Sequence, residues 1–140
     1  MRNLLYFVLT VFLCSCSSAK RTAKTPLLDN QAFLLTDISS DPTYGLSKTN
    51  PIEVGGVDKG EGPLNERRFL NALAGPNGER VSYARAGSCC PVKSKNGFMG
   101  TAMLDNYRVT WEGSKDTVSI YINMYDAGAR KAPVGFTIKK

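Results

Sequence analysis

The chain contains no histidine among its 140 residues. Histidine is the commonest metal ligand in proteins and the commonest general acid or base. Its absence excludes a Ser-His-Asp hydrolase and a histidine-ligated zinc enzyme from this chain. Chemistry that relies on carboxylates or cysteines alone is still open, and we expect neither a bound metal nor a cofactor.

The sequence also lacks a long hydrophobic run and a phosphate-binding loop. Its longest apolar stretch, Leu4 to Leu13, has ten residues, too few to span a hydrocarbon core of about 30 Å. Neither a G-x-x-x-x-G-K-[ST] motif nor a G-x-G-x-x-G motif is present. No basic stripe with interleaved aromatic residues occurs, so we do not expect nucleic-acid binding.

The first fifteen residues have the features of an export signal, with Arg2 followed by the short apolar stretch. The run Leu13-Cys14-Ser15-Cys16 resembles the lipobox of bacterial lipoproteins. We therefore predict a signal peptide over residues 1–15 and a lipid-modified, palmitate-bearing Cys16. A signal peptide cut after Ala19 and an uncleaved anchor helix are the alternatives.

Residues 16–42 predict a flexible basic tether, because they are rich in small, polar and charged residues and contain two prolines. Three basic residues lie just after the predicted cleavage site: Lys20, Arg21 and Lys24. Positive charge beside a lipid anchor is attracted to anionic head groups. The apolar segment Gln31 to Leu35 is predicted to dock on the domain, and contact with a partner is the alternative.

Residues 43–140 predict a single α+β domain with one helix packed on a small antiparallel sheet of about four strands. The predicted elements are strands at 51–56, 79–87, 103–112 and 117–125 and a helix at 64–74. Residues 88–101 are predicted to form a loop, and 132–138 a final loop or edge strand. On the helix, Phe69, Leu70 and Leu73 form the apolar face, and Glu66 is expected to point elsewhere.

Cys89 and Cys90 are adjacent and are the only cysteines beyond residue 16. Three interpretations are open. The pair packs as small hydrophobic residues, forms a vicinal disulfide in an oxidising compartment, or provides a thiol or soft-metal site with Met99 and Met103.

Three arginines are candidates for contact with an anionic ligand: Arg67, Arg68 and Arg85. The alternative for the two helical arginines is a solvated face with local ion pairs, which contribute only tenths of a kcal/mol.

Four runs of sequence resemble a family of short exported proteins from the Bacteroidota: Asn65 to Leu73, Gly75 to Gly78, Gly87 to Pro91 and Tyr121 to Asp126. The resemblance covers most of residues 44 to 138. Some members carry the label 2-dehydro-3-deoxyphosphooctonate aldolase. The resemblance implies an exported domain, and it defines no catalytic residues.

The leading hypothesis is a membrane-anchored envelope lipoprotein with a small binding domain that is not an enzyme. Its expected partners are the membrane, through the N-terminal lipid, and an envelope protein or polymer. No acidic cluster follows Cys16, which favours the periplasmic side of the outer membrane, because such a cluster resembles a surface-export tag. The alternatives are a thiol-based redox or soft-metal protein that uses Cys89 and Cys90, and a small enzyme.

Overall fold

A computed structural model gives the arrangement of residues 26–140. The predicted signal peptide, Cys16 and the first part of the predicted tether lie outside the described residues. The fold is α+β, with one helix, a four-stranded sheet and two smaller strand pairs, which confirms the predicted fold class. Within the described range, no helix is long and apolar enough to cross a membrane.

In chain order the elements are β1 (Leu27–Asp29), β2 (Ala32–Phe33), β3 (Ile52–Glu53), a 3-10 turn (Val57–Lys59), α1 (Gly62–Leu70), β4 (Leu73–Ala74), β5 (Val81–Phe98), β6 (Thr101–Trp111), β7 (Val118–Asn123) and β8 (Thr137–Ile138).

The four-stranded sheet has the order β3-β7-β6-β5. Strands β5, β6 and β7 pair antiparallel, as predicted, but β3 runs parallel to β7. The sheet is therefore mixed rather than antiparallel throughout. The reason is the long connection between β3 and β7, which contains α1 and the β5–β6 hairpin and brings the chain back in the same direction.

The hydrophobic core lies between α1 and one face of this sheet. Alternate residues of β6 and β7 face each other across the strands, with Tyr107 opposite Ile120 and Val109 opposite Val118. Phe69 and Leu70 of α1 are fully buried in the same cluster. Each such side chain stabilises the fold by roughly 1.5–3 kcal/mol through burial.

Helix α1 spans Gly62–Leu70 rather than the predicted 64–74. Pro63 lies in its first turn, where the missing N–H leaves no hydrogen bond unmade. The helix ends early because Leu73 and Ala74 form β4 and pair with β8 near the end of the chain. A local sequence pattern does not reveal that long-range pairing.

Strand β5 continues to Phe98, so the predicted loop at 88–101 is wrong. Pro91 lies within this strand, opposite Met103. It is tolerated because β5 is at the edge of the sheet, where the absent N–H would face solvent. Irregularities near residues 86, 90 and 94–97 absorb the extra length of β5 relative to β6.

The fold begins before the predicted boundary at residue 43. Strands β1 and β2 form a hairpin against α1, and Ala32, Phe33 and Leu35 are buried in the main core. The segment predicted to dock on the domain is therefore part of it. The predicted tether over residues 16–42 is too long at its C-terminal end.

Candidate functional site

A buried cluster of polar side chains joins α1 to the β5–β6 hairpin. Glu66 of α1 is fully buried, which corrects the expectation that it points away from the core. Its Oε2 accepts a hydrogen bond of 2.8 Å from the Tyr107 hydroxyl. The helical pattern did not predict this burial, because the partner that makes it tolerable comes from β6.

Asp105 is the second carboxyl group of this cluster. Arg85 donates to it twice, from Nε to Oδ2 at 2.7 Å and from Nη2 to Oδ1 at 2.9 Å. The Ser88 hydroxyl donates to Oδ1 at 2.8 Å. The Arg85 side chain is 48% exposed and that of Asp105 only 5%. The guanidinium group is therefore the solvent-facing end of the cluster.

A β-bulge places these donors on one side of the hairpin. Residues three apart in a regular strand point to opposite faces. In β5 the pairing shifts between Arg85, opposite Tyr107, and Gly87, opposite Asn106. The extra residue in β5 turns Ser88 to the same face as Arg85, and both then reach Asp105.

The two carboxyl groups titrate differently. Burial raises the pKa of Glu66 to about 7, the negative charge of Asp105 adds to this effect, and the hydrogen bond from Tyr107 opposes it. Burial also acts to raise the pKa of Asp105, but the hydrogen bonds from Arg85 and Ser88 outweigh it and hold that pKa below its ordinary value.

A proton on Glu66 completes the hydrogen bonds of the cluster. As carboxylates, Glu66 and Asp105 could only accept, and Oε1 of Glu66 then has no partner among the described residues. When Glu66 is protonated, its O–H can donate to Asp105, which raises the pKa of Glu66 and lowers that of Asp105. Glu66 is fully buried, so its titration acts on the packing of the core and the stability of the fold.

The structure joins Cys89 and Cys90 by a disulfide on the edge strand β5. Both residues are half-buried rather than buried. Met103 lies opposite Pro91, next to the pair, whereas Met99 lies at the tip of the hairpin. Between residues 26 and 140, no three acidic or cysteine side chains gather as a metal site.

An open cleft of about 780 Å³ lies at the opposite end of the hairpin, where β4, β8 and the start of β5 meet. Its walls are formed by Leu70, Asn71, Leu73, Ala74, Asn77, Gly78, Glu79, Arg80, Val81, Thr137, Ile138, Lys139 and Lys140. Three of these side chains are cationic and one is anionic. The anionic Glu79 accepts hydrogen bonds from the backbone and side chain of Asn77.

The three arginines predicted to contact a ligand have different surroundings. Arg85 belongs to the buried cluster. Arg68 donates to the Asn30 carbonyl at 3.2 Å and to Asn65 at 3.1 Å, and so fixes the β1–β2 hairpin to α1. Arg67 is exposed on α1. None of the three lines the cleft, and their contact with a ligand stays a prediction.

Comparison of the chain with models of known protein families, with curated proteins and with solved structures gave no match. The cleft and the buried cluster therefore have to be interpreted from their own chemistry.

Sequence reasoning missed both of these features. The cleft combines residues near position 80 with the last four residues of the chain, which only the β4–β8 pairing brings together. The sequence around Glu66 indicated its burial only weakly, because a lone acid among arginines is typical of a solvent-exposed helix face. The alternation of Asp105 with Tyr107 and Val109 was the better signal, since it puts a carboxyl on the core face of β6.

Proposed function

We propose that the chain is a lipid-anchored envelope protein whose domain binds an anionic component of the envelope. The cleft is the observation that carries this proposal. Arg80, Lys139 and Lys140 line it together with a single acid, so its field favours negative ligands. Val81 of β5 and Ile138 of β8 are partly exposed and form an apolar part of the wall, of the kind usual in ligand clefts.

The chemistry of the cleft favours binding over catalysis. Its lining contains no cysteine, serine or tyrosine. The one hydroxyl, that of Thr137, donates to the Gly75 carbonyl at 2.6 Å. Glu79 is held by Asn77, which lowers its pKa, so at neutral pH it is a poor general base or acid. The carboxyl with a strongly raised pKa, Glu66, lies in the core, outside the cleft.

The test is calorimetric titration of the full chain with inorganic pyrophosphate and with a uronic acid oligosaccharide, as phosphate- and carboxylate-bearing probes. We expect Arg80→Gln combined with Lys139→Gln to weaken binding by roughly tenfold or more, because charge-assisted contacts are lost. Arg108→Gln is the matched control, since Arg108 is exposed and lies outside the cleft. Absence of binding, or an equal loss in the control, would overturn the assignment of the cleft.

The lipid anchor is tested separately by the intact mass of protein extracted from membranes. A mass that starts at Cys16 and includes acyl chains supports the anchor. A full-length mass, or a mass starting at another residue, contradicts it.

The disulfide favours a second candidate, a thiol–disulfide redox element. The pair is half-exposed on an edge strand, where a thiolate can reach it. In this reaction a dithiol donor gives two electrons and two protons to the Cys89–Cys90 bond, and the donor becomes a disulfide.

Alkylation before and after reduction tests this candidate in the full chain. The redox proposal predicts that residues 89 and 90 bind no alkylating reagent before reduction and two molecules after mild reduction with a dithiol under native conditions. Two alkylations without reductant would show free thiols. Resistance to a dithiol in the folded state would show a purely structural disulfide. Either result would contradict the redox role.

A further inference from the structure

The tip of the β5–β6 hairpin exposes two adjacent apolar side chains. Phe98 is 83% exposed and Met99 is 87% exposed, whereas every other large hydrophobic residue among those described is at most 50% exposed. Single exposed hydrophobic residues are ordinary, but an adjacent pair on a projecting loop indicates a contact surface.

The tip is held rigidly enough to present these side chains. Asp126 accepts hydrogen bonds from Ser94 at 2.8 Å and from Asn96 at 2.7 Å, which pin the base of the tip to the end of β7. The Ser94 N–H donates to the Gly100 carbonyl at 3.0 Å and closes the loop. These hydrogen bonds hold the loop that carries the apolar pair, so binding does not have to order the loop itself.

Gly97 is required by the close approach of the two strands, since a Cβ there would overlap the carbonyl oxygen of Thr101. Met99 has a φ of 51°, in the left-handed region that non-glycine residues rarely adopt. Met99 and Gly100, with a φ of 78°, form the two-residue turn that joins β5 to β6, and the Met99 side chain in this turn is exposed.

The flanks of the tip are basic. Residues 93–101 contain two lysines and no acid, and both Lys93 and Lys95 are exposed. Asp126 is half-buried at the base of the tip and is close enough to Lys95 for that lysine to help lower the pKa of its carboxyl, so the two lysines exceed the acid by one charge. Apolar side chains at the end of the loop suit the acyl-chain region of a membrane, and the lysines behind them suit the anionic head groups above it.

The predicted anchor would bring the tip to such a surface. Cys16 and Pro26 are ten residues apart, so the intervening chain reaches at most about 35 Å. Pro26 accepts a hydrogen bond from Leu34, whose neighbour Phe33 packs under Arg130. Arg130 also donates to the Val54 carbonyl.

Val54 in turn bridges to Ala127, the residue after Asp126. A short series of contacts thus connects the start of the described domain to the base of the hairpin tip. The tip and the point where the tether attaches thus belong to one packed unit, and a tether of at most about 35 Å keeps that unit near the bilayer.

We propose that the β5–β6 hairpin tip docks on an anionic lipid surface, with Phe98 and Met99 inserted at the boundary between head groups and acyl chains and with Lys93 and Lys95 on the lipid phosphates. This inference rests on the proposed lipid anchor for its location and not on the cleft. The docked tip would orient the domain on the membrane.

The experiment uses the full chain with Phe98→Trp, reconstituted in vesicles of phosphatidylglycerol and phosphatidylcholine whose acyl chains are brominated. We expect bromine to quench the added tryptophan at least twofold, because residue 98 lies at the depth of the bromine atoms. Wild-type protein is the matched control, since its single tryptophan, Trp111, lies at the other end of β6 and should be unaffected.

Two further measurements separate the possible outcomes. Lys93→Gln with Lys95→Gln should reduce quenching, as should vesicles of phosphatidylcholine alone. An added tryptophan that stays unquenched in every vesicle overturns the proposal. If residue 98 is instead shielded from the bromine atoms to a degree that depends only on protein concentration, the proposal is also overturned. That result would indicate that the tip binds a second copy of this chain. The intact mass reports the anchor independently, so an acylated chain whose added tryptophan is unquenched refutes docking and leaves the anchor standing.

Discussion

The buried pair Glu66 and Asp105 predicts that the stability of this domain falls as the pH rises towards neutrality. The folded state holds the Glu66 proton more tightly than the unfolded chain, because burial raises the pKa from 4.5 to about 7. The contribution of Glu66 to stability is therefore largest where this group is protonated in both states, below pH 4.5. It declines as the pH rises through the window from 4.5 to about 7.

The substitution Glu66→Gln removes this dependence. The glutamine amide can donate to Asp105 as the protonated acid does, while its oxygen still accepts from Tyr107. The pKa difference corresponds to about 3 kcal/mol at about 1.36 kcal/mol per pKa unit. We expect the variant to match wild type near pH 4.5–5 and to be more stable by up to about 3 kcal/mol near pH 8.

The assay is urea denaturation of both proteins at several pH values from 5 to 8. Carboxyl groups with lowered pKa, such as Asp105, titrate below this range and do not interfere. Tyr107→Phe is the control, because it removes the hydroxyl and leaves Glu66 titratable. A stability difference between wild type and Glu66→Gln that stays constant with pH would refute the protonated, hydrogen-bonded state of Glu66.

Four other substitutions test the rest of the fold. Phe69→Ala should cost about 3–5 kcal/mol of unfolding free energy, while Met99→Ala, at an exposed site, should leave the urea midpoint unchanged. Gly97→Ala should destabilise the hairpin tip, seen as faster amide exchange at residues 94–100, because the new methyl group overlaps backbone; unchanged exchange would contradict the close approach described above. Arg85→Ala should cost about 1 kcal/mol above pH 4, since Arg85 is half exposed. That loss should fade as Asp105 is protonated, and a loss independent of pH would argue against the ion pair.

Local sequence patterns were sufficient for the central elements of the fold. The alternation at 118–124 and at 105–111 predicted β7 and most of β6, because a half-buried strand must alternate apolar and polar residues. Pro63 and the apolar spacing that follows it predicted α1. With one helix and several strands in sequence, these elements identified the α+β class.

The tertiary structure decided the features that depend on distant residues. The helix ends at Leu70 because β8 pairs with β4, and β5 extends past Pro91 because it lies at a sheet edge. Glu66 is buried because Tyr107 and Asp105 meet it from β6. In each case a contact between groups that are far apart in the chain stabilises the observed structure. No local sequence pattern contains the information about such a contact.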